Sequence, residues 1–211
     1  MIGVVIASYG NEMWRDVARR AVDSVKAQTL RTSWVHMHDT NGHDLHVVRN
    51  QAAAQLFHHR DVTRLVFLDA DDELDREYIE YMEMTSLDPD VIVKPSCLNL
   101  NDGPNIPEEL KDLHTQNWLP IGCVMSRSFF ERSGGFEGWP VLEDWAFWLR
   151  AEHFHGAHFE ICKQATYIIH NDGEERRNPS NGSDLSNYWA AQIRRCNGSY
   201  AQYDQDFKGA L

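Results

Sequence analysis

The sequence predicts an α/β fold, with a mainly parallel sheet flanked by helices and a small mixed second half. Three observations carry this. Short apolar runs alternate with helical patterns through the first third of the chain, the order expected of repeated β-α-β units. Acidic and polar residues gather directly after those runs, where parallel sheets bind their ligands. The chain of 211 residues suits one domain, and no linker divides it.

Ile2 to Ala7 reads as a short buried strand, followed by a turn at Tyr9-Gly10-Asn11. Trp14, Ala18, Ala21, Val22 and Val25 recur at helical spacing, with Asn11 a candidate cap. Trp34 to His38 is a second strand, ending at Asp39 before the turn signal Asn41-Gly42. Leu45 to His58 is helical through Val48, Ala52 and Leu56. Leu65 to Leu68 is a third strand, and Asp69-Ala-Asp-Asp-Glu73 follows directly. Asp75 then sits at a cap position, with Leu74 before it stapled onto Ile79. Val91 to Val93 is a fourth strand.

The second half is less regular. Asn99 to Asn105 reads as a loop, Trp118 to Met125 as a strand, and Ser128 to Arg132 as a short helix stopped by Gly134-Gly135. Pro140 to Phe154 is an aromatic-rich helix, and His158 to Ile169 holds one or two strands. His170 to Ser183 is a long mobile loop, and Ser186 to Arg195 a closing helix.

Hydrophobic residues make up 42% of the chain and charged residues 25%, as in an ordinary globular protein. Lys and Arg number 20 against 32 Asp and Glu, a net charge of −12, which opposes a general grip on nucleic acid. The apolar runs fall far short of the ~20 residues a membrane helix needs, and the amino terminus lacks the basic, apolar and small-residue pattern of a secretory signal. Cys97, Cys123, Cys162 and Cys196 are widely spaced with no C-x-x-C pair. Reduced thiols in a cytoplasmic protein are expected.

Asp69, Asp71, Asp72 and Glu73 fall within five residues. If the chain stays extended there, Asp69 and Asp71 project together and Ala70 turns away, leaving room for a phosphate. Facing carboxylates repel unless a proton or cation joins them, and Mg²⁺ or Mn²⁺ takes carboxylates together with substrate phosphates. The alternative is that these acids solvate a loop and cap the following helix. Glu143-Asp144-Trp145 opens another helix. Acids there complement the helix dipole, or one of them serves as a general base. Trp145 and Leu149 share a helical face and read as core, which leaves Trp139 as the aromatic ligand contact.

His153, His155 and His158 have no Cys or acid completing a zinc-type spacing and read as surface residues at a helix end. His170 ends a strand within reach of a cation at Asp71, and Arg176 and Arg177 follow as a diphosphate clamp. The alternative there is an ordinary solvated loop.

The order of these features resembles family 2 glycosyltransferases of the GT-A fold. The matching stretches are Val4-Val-Ile-Ala-Ser-Tyr-Gly-Asn-Glu12, Ala21-Val-Asp-Ser-Val-Lys-Ala-Gln-Thr29, Val48-Arg-Asn50, Phe67-Leu-Asp-Ala-Asp-Asp72, Ser133-Gly-Gly-Phe136 and Glu143-Asp-Trp145, across about residues 2 to 170. The resemblance implies a Rossmann-like GT-A sheet, a nucleotide-diphosphate sugar donor (a UDP-sugar first), a divalent cation (Mn²⁺ or Mg²⁺) and inversion at the anomeric carbon. It implies Ser8, Tyr9, Arg49, Asp69 and Ala70 beside the donor and Asp39 on the base. Asp71 and His170 would hold the metal. Asp144 would be the catalytic base, and Gly135, Trp139, Glu143 and Trp145 would border the acceptor and sugar. Thr40-Asn-Gly42 departs from the family's usual turn, and the short stretch on to Arg49 implies a central strand trimmed or missing.

One catalytic domain over 1–211 is then expected: a nucleotide-sugar half at 2–95, an acceptor and catalytic half at 96–170, and the mobile loop with its closing helix at 171–211. The acceptor is left open among a glycan, a protein, a lipid-linked sugar and a modified base. The rival readings are a non-catalytic nucleotide-sugar or glycan-binding module on this fold and a metal-dependent nucleotidyltransferase.

Overall fold

The computed structural model describes residues 1–100, 106–170 and 184–207. Its elements run in the order β1 (Ile2–Tyr9), α1 (Glu12–Lys26), β2 (Ser33–Asp39), α2 (Leu45–Leu56), β3 (Arg64–Asp69), β4 (Glu73–Leu74), α3 (Tyr78–Glu83), β5 (Val91–Asn99), β6 (Val124–Ser126), α4 (Arg127–Ser133), α5 (Glu143–His155), β7 (His158–Ile169), α6 (Asp184–Arg195) and α7 (Tyr200–Phe207). Seven strands form one mixed sheet in the order β2-β1-β3-β6-β5-β7-β4.

The first three strands are parallel, as the β-α-β rhythm predicts. Val4, Val5, Ile6, Leu65, Val66 and Leu68 are buried among helices on the two faces of the sheet. β6 then enters between β3 and β5 and runs antiparallel to both, so the sheet is mixed from its centre outward. Of the expected strand from Trp118 to Met125 only Val124 and Met125 are regular, in β6 (Val124–Ser126). The residues before it are buried but irregular, and the Tyr78 hydroxyl donates to the Gly122 carbonyl among them. β7 is one bulged strand pairing with β5, its register shifting between Pro95 and Ser96. No strand stands between Asp39 and Arg49, where α2 begins almost at once.

Several local expectations are corrected. Asn11 is at the cap of α1 but its side chain makes no capping bond. The helix after Asp75 begins at Tyr78 behind Glu77, because Asp75 instead closes a turn, its carboxylate accepting from the Glu77 N–H at 3.3 Å. α5 begins at Glu143 rather than Pro140, behind Leu142 in a left-handed conformation at φ 59°. The pattern of the sequence did not suggest the edge strand β4 or the helix α7. The expected loops from Asn99 to Asn105 and from His170 to Ser183 lie almost entirely outside the described residues, as do Arg176 and Arg177.

The closing elements are held by aromatic packing. Trp139 is 4% exposed; its indole N–H donates to the Gly198 carbonyl at 3.0 Å, and its ring packs on Trp189, Tyr200 and Tyr203. A ring enclosed on these sides anchors α6 and α7. Trp145 is equally buried, donates to the Leu113 carbonyl at 2.8 Å and carries Arg194 over its ring at 5.5 Å. It belongs to the core, as its helical face predicts.

Candidate active site

The carboxyl ends of the parallel strands lie side by side: Tyr9 pairs with Asp39 and Ala7 with Asp69. From Leu65 to Leu68 every side chain of β3 is buried, so Asp69 is the first to emerge. The chain then turns, with the Asp72 N–H donating to the Asp69 carbonyl at 3.1 Å. Extended alternation is therefore not what gathers the acids. The turn does it, placing carboxylate oxygens of Asp69, Asp71 and Asp72 within 4.8 Å of one another while Ala70 packs inward.

Two groups hold this turn from β7. The Tyr167 hydroxyl accepts from the Asp69 N–H at 3.1 Å and bonds the Asp72 carboxylate. The His170 N–H donates to Asp72 Oδ1 at 3.0 Å. The β4–β7 pairing, Glu73 opposite Ile168, brings them there. Burial pushes the Asp72 carboxyl well above the usual range, and the charges of Asp69 and Asp71 add to this, against the two hydrogen bonds. Three acids this close need a shared proton or a cation. An all-oxygen donor set suits Mg²⁺ or Mn²⁺, so the residues present fit the expected metal. The His170 ring sits 2.8 Å from Glu73 Oε1, beside the cluster. Arg20 from α1 reaches the Asp71 carbonyl at 3.4 Å and Glu73 at 3.8 Å.

On the other side of the crevice stands Arg49 of α2, 4% exposed. Its guanidinium gives Nη2 to Asp69 at 2.6 Å and Nη1 to Glu143 at 2.5 Å. Burial alone would lower its pKa, but Asp69, Glu143 and Asp144 together raise it above the ordinary value. Glu143 is therefore engaged with a buried cation. Asn50 makes a second tie, accepting from the Phe136 N–H and donating to the Phe136 carbonyl, each at 2.9 Å. Gly135 beside it sits at φ 72°, and a Cβ there would stand 2.5 Å from Asn50 Oδ1. Its place in the structure is a backbone requirement of that tie.

Asp144 is half-buried, with its carboxyl group turned into the crevice. Oδ1 accepts from the Trp145 N–H at 2.8 Å and Oδ2 from Asn117 at 3.4 Å. Burial, reinforced by the charge on Glu143, pushes it up to about 7, against the pull of Arg49. A carboxyl group tuned to that range is suited to taking up a proton near neutral pH.

At the β1–β2 end, Ser8 is 3% exposed, with Oγ 3.0 Å from His36 Nε2 and 2.9 Å from His38 Nδ1. Asp39 accepts from the backbone N–H groups of Asn41 and His43 at 3.1 and 2.9 Å, and lies 2.9 Å from His43 Nδ1. These bonds, the His43 ring first among them, hold its carboxyl below the usual range. Asp39 would take a nucleobase only by giving up part of this loop closure.

Arg49 thus joins the acidic turn at Asp69 to Glu143 beside Asp144, with Ser8 and Asp39 on the neighbouring strands β1 and β2. Sequence reading did not single out Tyr167, Asn117 or Asn50 for roles here. Asp72 was visible in the acidic run, but only its burial distinguishes it.

Comparison with solved structures gives the same architecture. The chain superposes on TarS from S. aureus, residues 1–349 in complex with UDP-GlcNAc, with a TM-score of 0.68 at 11% identity over 92% of this chain and 66% of that one. The same protein with UDP gives 0.64 at 13% identity over 93% and 65%. The mannosyltransferase PcManGT from Pyrobaculum calidifontis, in complex with GDP-Man and Mn²⁺, gives 0.57 at 14% identity over 97% and 64%. No family model matches the sequence, and no curated protein does. The fold is therefore GT-A-like, the class that the motifs resembled. The chain spans just under two thirds of these TarS and PcManGT chains. Among the described residues, no helix is long and apolar enough to cross a membrane.

Proposed function

We propose that this chain is a metal-dependent glycosyltransferase, moving a sugar from a nucleotide-diphosphate donor to an acceptor hydroxyl with inversion. The observation that carries it is the meeting, across Arg49, of a three-carboxylate turn with the half-buried Asp144, whose carboxyl burial pushes up to about 7. The first arrangement suits a cation and a diphosphate, and the second suits removal of a hydroxyl proton. TarS bound to UDP-GlcNAc and PcManGT bound to GDP-Man and Mn²⁺ share the fold and support this reading.

Asp69, Asp71 and Asp72 would hold the cation, with His170 adjoining them through Asp72 and Glu73. When bound, Mg²⁺ or Mn²⁺ supplies positive charge against the leaving nucleoside diphosphate. Ser8, Tyr9 and Asp39 at the strand ends would flank the nucleotide. Asp144, deprotonated, accepts the acceptor's proton at a carboxylate oxygen as that hydroxyl attacks the anomeric carbon in line. One group accepting a proton on the face opposite the leaving group gives inversion.

The test is incubation of the purified chain with a panel of nucleotide sugars, UDP-sugars first, with and without Mn²⁺. Metal-dependent release of nucleoside diphosphate in the presence of an acceptor is expected. Release of pyrophosphate would make the chain a nucleotidyltransferase. Metal-dependent donor binding without turnover would make it a binding module.

A further inference from the structure

We infer that Arg49 and Glu143 form a positioning pair that fixes the first turn of α5, and with it Asp144, against the acidic turn after β3. The inference rests on Asp144 being the base, and it gives Arg49 and Glu143 a role different from donor or sugar contact.

Glu143 and Asp144 are consecutive on the first turn of α5, and a helix turns successive side chains about 100° apart. They cannot serve one point. Glu143 goes to Arg49 at 2.5 Å, while Asp144 faces Asn117 and its own helix N-terminus. Arg49 comes from α2, 94 residues earlier, and its second arm holds Asp69 at 2.6 Å. One guanidinium therefore spans the acidic turn after β3 and the first turn of α5. It is itself pinned, lying 5.3 Å over the Phe136 ring beside the Asn50 tie. A buried cation bonded on both arms is a fixed strut between the two elements.

The strut also sets charge. The groups acting on Asp144 are Glu143 on its own helix, Arg49 from α2 and Asp69 from β3, and the Cys123 thiol lies close enough to interact with it. Glu143 and Asp69 favour the protonated acid, and Arg49 favours the carboxylate. The bridge couples these opposing influences, so removing one partner unbalances the other.

A carboxyl-¹³C NMR titration of the metal-free protein tests this, the Asp144 resonance being assigned by its loss in Asp144→Asn. Glu143→Gln is expected to move the Asp144 midpoint to lower pH and Arg49→Gln to higher pH, each by about one pH unit. A pair that only held the fold together would not produce opposite displacements. Midpoints that stay put, or move the same way in both variants, overturn the inference. If Arg49→Gln does not fold, Glu143→Gln decides alone, and an unmoved or raised midpoint overturns it. In a transfer assay, Glu143→Gln should lower kcat while leaving the donor KM within about threefold, since only transition-state positioning is lost. The titration needs no donor. A chain that shows the opposed displacements but transfers no sugar keeps the positioning pair and loses the proposed reaction. Transfer without the displacements does the reverse.

Discussion

At the scale of single residues, the decisive chemistry is the cost of leaving carboxylates near one another and away from water. Asp144 and Asp72 both answer it by holding protons more tightly than exposed acids do. For Asp144 in the proposed role the consequence for activity has a definite sign: a base works only when deprotonated, so kcat/KM should rise with pH and level off near its pKa of about 7. A flat profile from pH 5 to pH 8 would remove Asp144 from the role. The consequence for stability runs the other way. Above the ordinary carboxyl range and below about 7, the folded chain keeps a proton on Asp144 that the unfolded chain has released. The folded state then binds more protons, so the Asp144 contribution to stability falls as pH rises through that window. Asp144→Asn should flatten this fall, as read from urea midpoints at pH 5 and pH 7. The same variant should keep donor affinity while losing transfer by about 100-fold or more.

At the scale of elements, the two halves of the crevice are joined by ties that local sequence cannot reveal. The strands β1 to β3, and the helices between them, were legible because apolar runs and helical periodicity are short-range signals. The acidic turn was legible as composition, but its geometry was not. Asp71 and Asp72 converge on Asp69 because β7 supplies Tyr167 and the His170 N–H nearly 100 residues later. The same is true of Glu143, whose acidity suited the start of a helix equally well until Arg49 was seen beside it. Trp139 shows the limit of such signals, because an aromatic residue near a motif looks the same whether it faces a ligand or a closing helix. That closing unit makes its own prediction. Gly198, between α6 and α7, sits at φ 77°, and a Cβ there would stand 1.9 Å from the Ala146 carbonyl of α5. Gly198→Ala should cost about 1–3 kcal/mol in urea unfolding. Metal affinity should change little, since the Asp69 turn is held from β7 and α1 and not by α7.

At the scale of the whole molecule, an acidic chain of net charge −12 concentrates three carboxylates at the carboxyl ends of the parallel strands. The folded chain carries that repulsion in a fixed geometry, whereas an unfolded chain spreads the same acids through water. A divalent cation that binds this geometry therefore favours the folded state by mass action, worth about 2.7 kcal/mol at 100 times its dissociation constant. Mn²⁺ should raise the melting temperature of the native chain, and a nucleotide sugar should raise it further only when Mn²⁺ is present. Asp71→Ala leaves the buried Asp72 anchors, Tyr167 and His170, in place. It should fold and melt near the metal-free native value, yet gain nothing from Mn²⁺ or from the donor. Arg20→Ala is the control for charge at a distance: it removes a cation that reaches Glu73 and the Asp71 carbonyl but supplies no metal ligand. A melting temperature that rises with Mn²⁺ in native chain, Asp71→Ala and Arg20→Ala alike would mean the ion acts by screening the net charge. The acidic turn would then not be its site, and the proposed chemistry would lose the group it depends on.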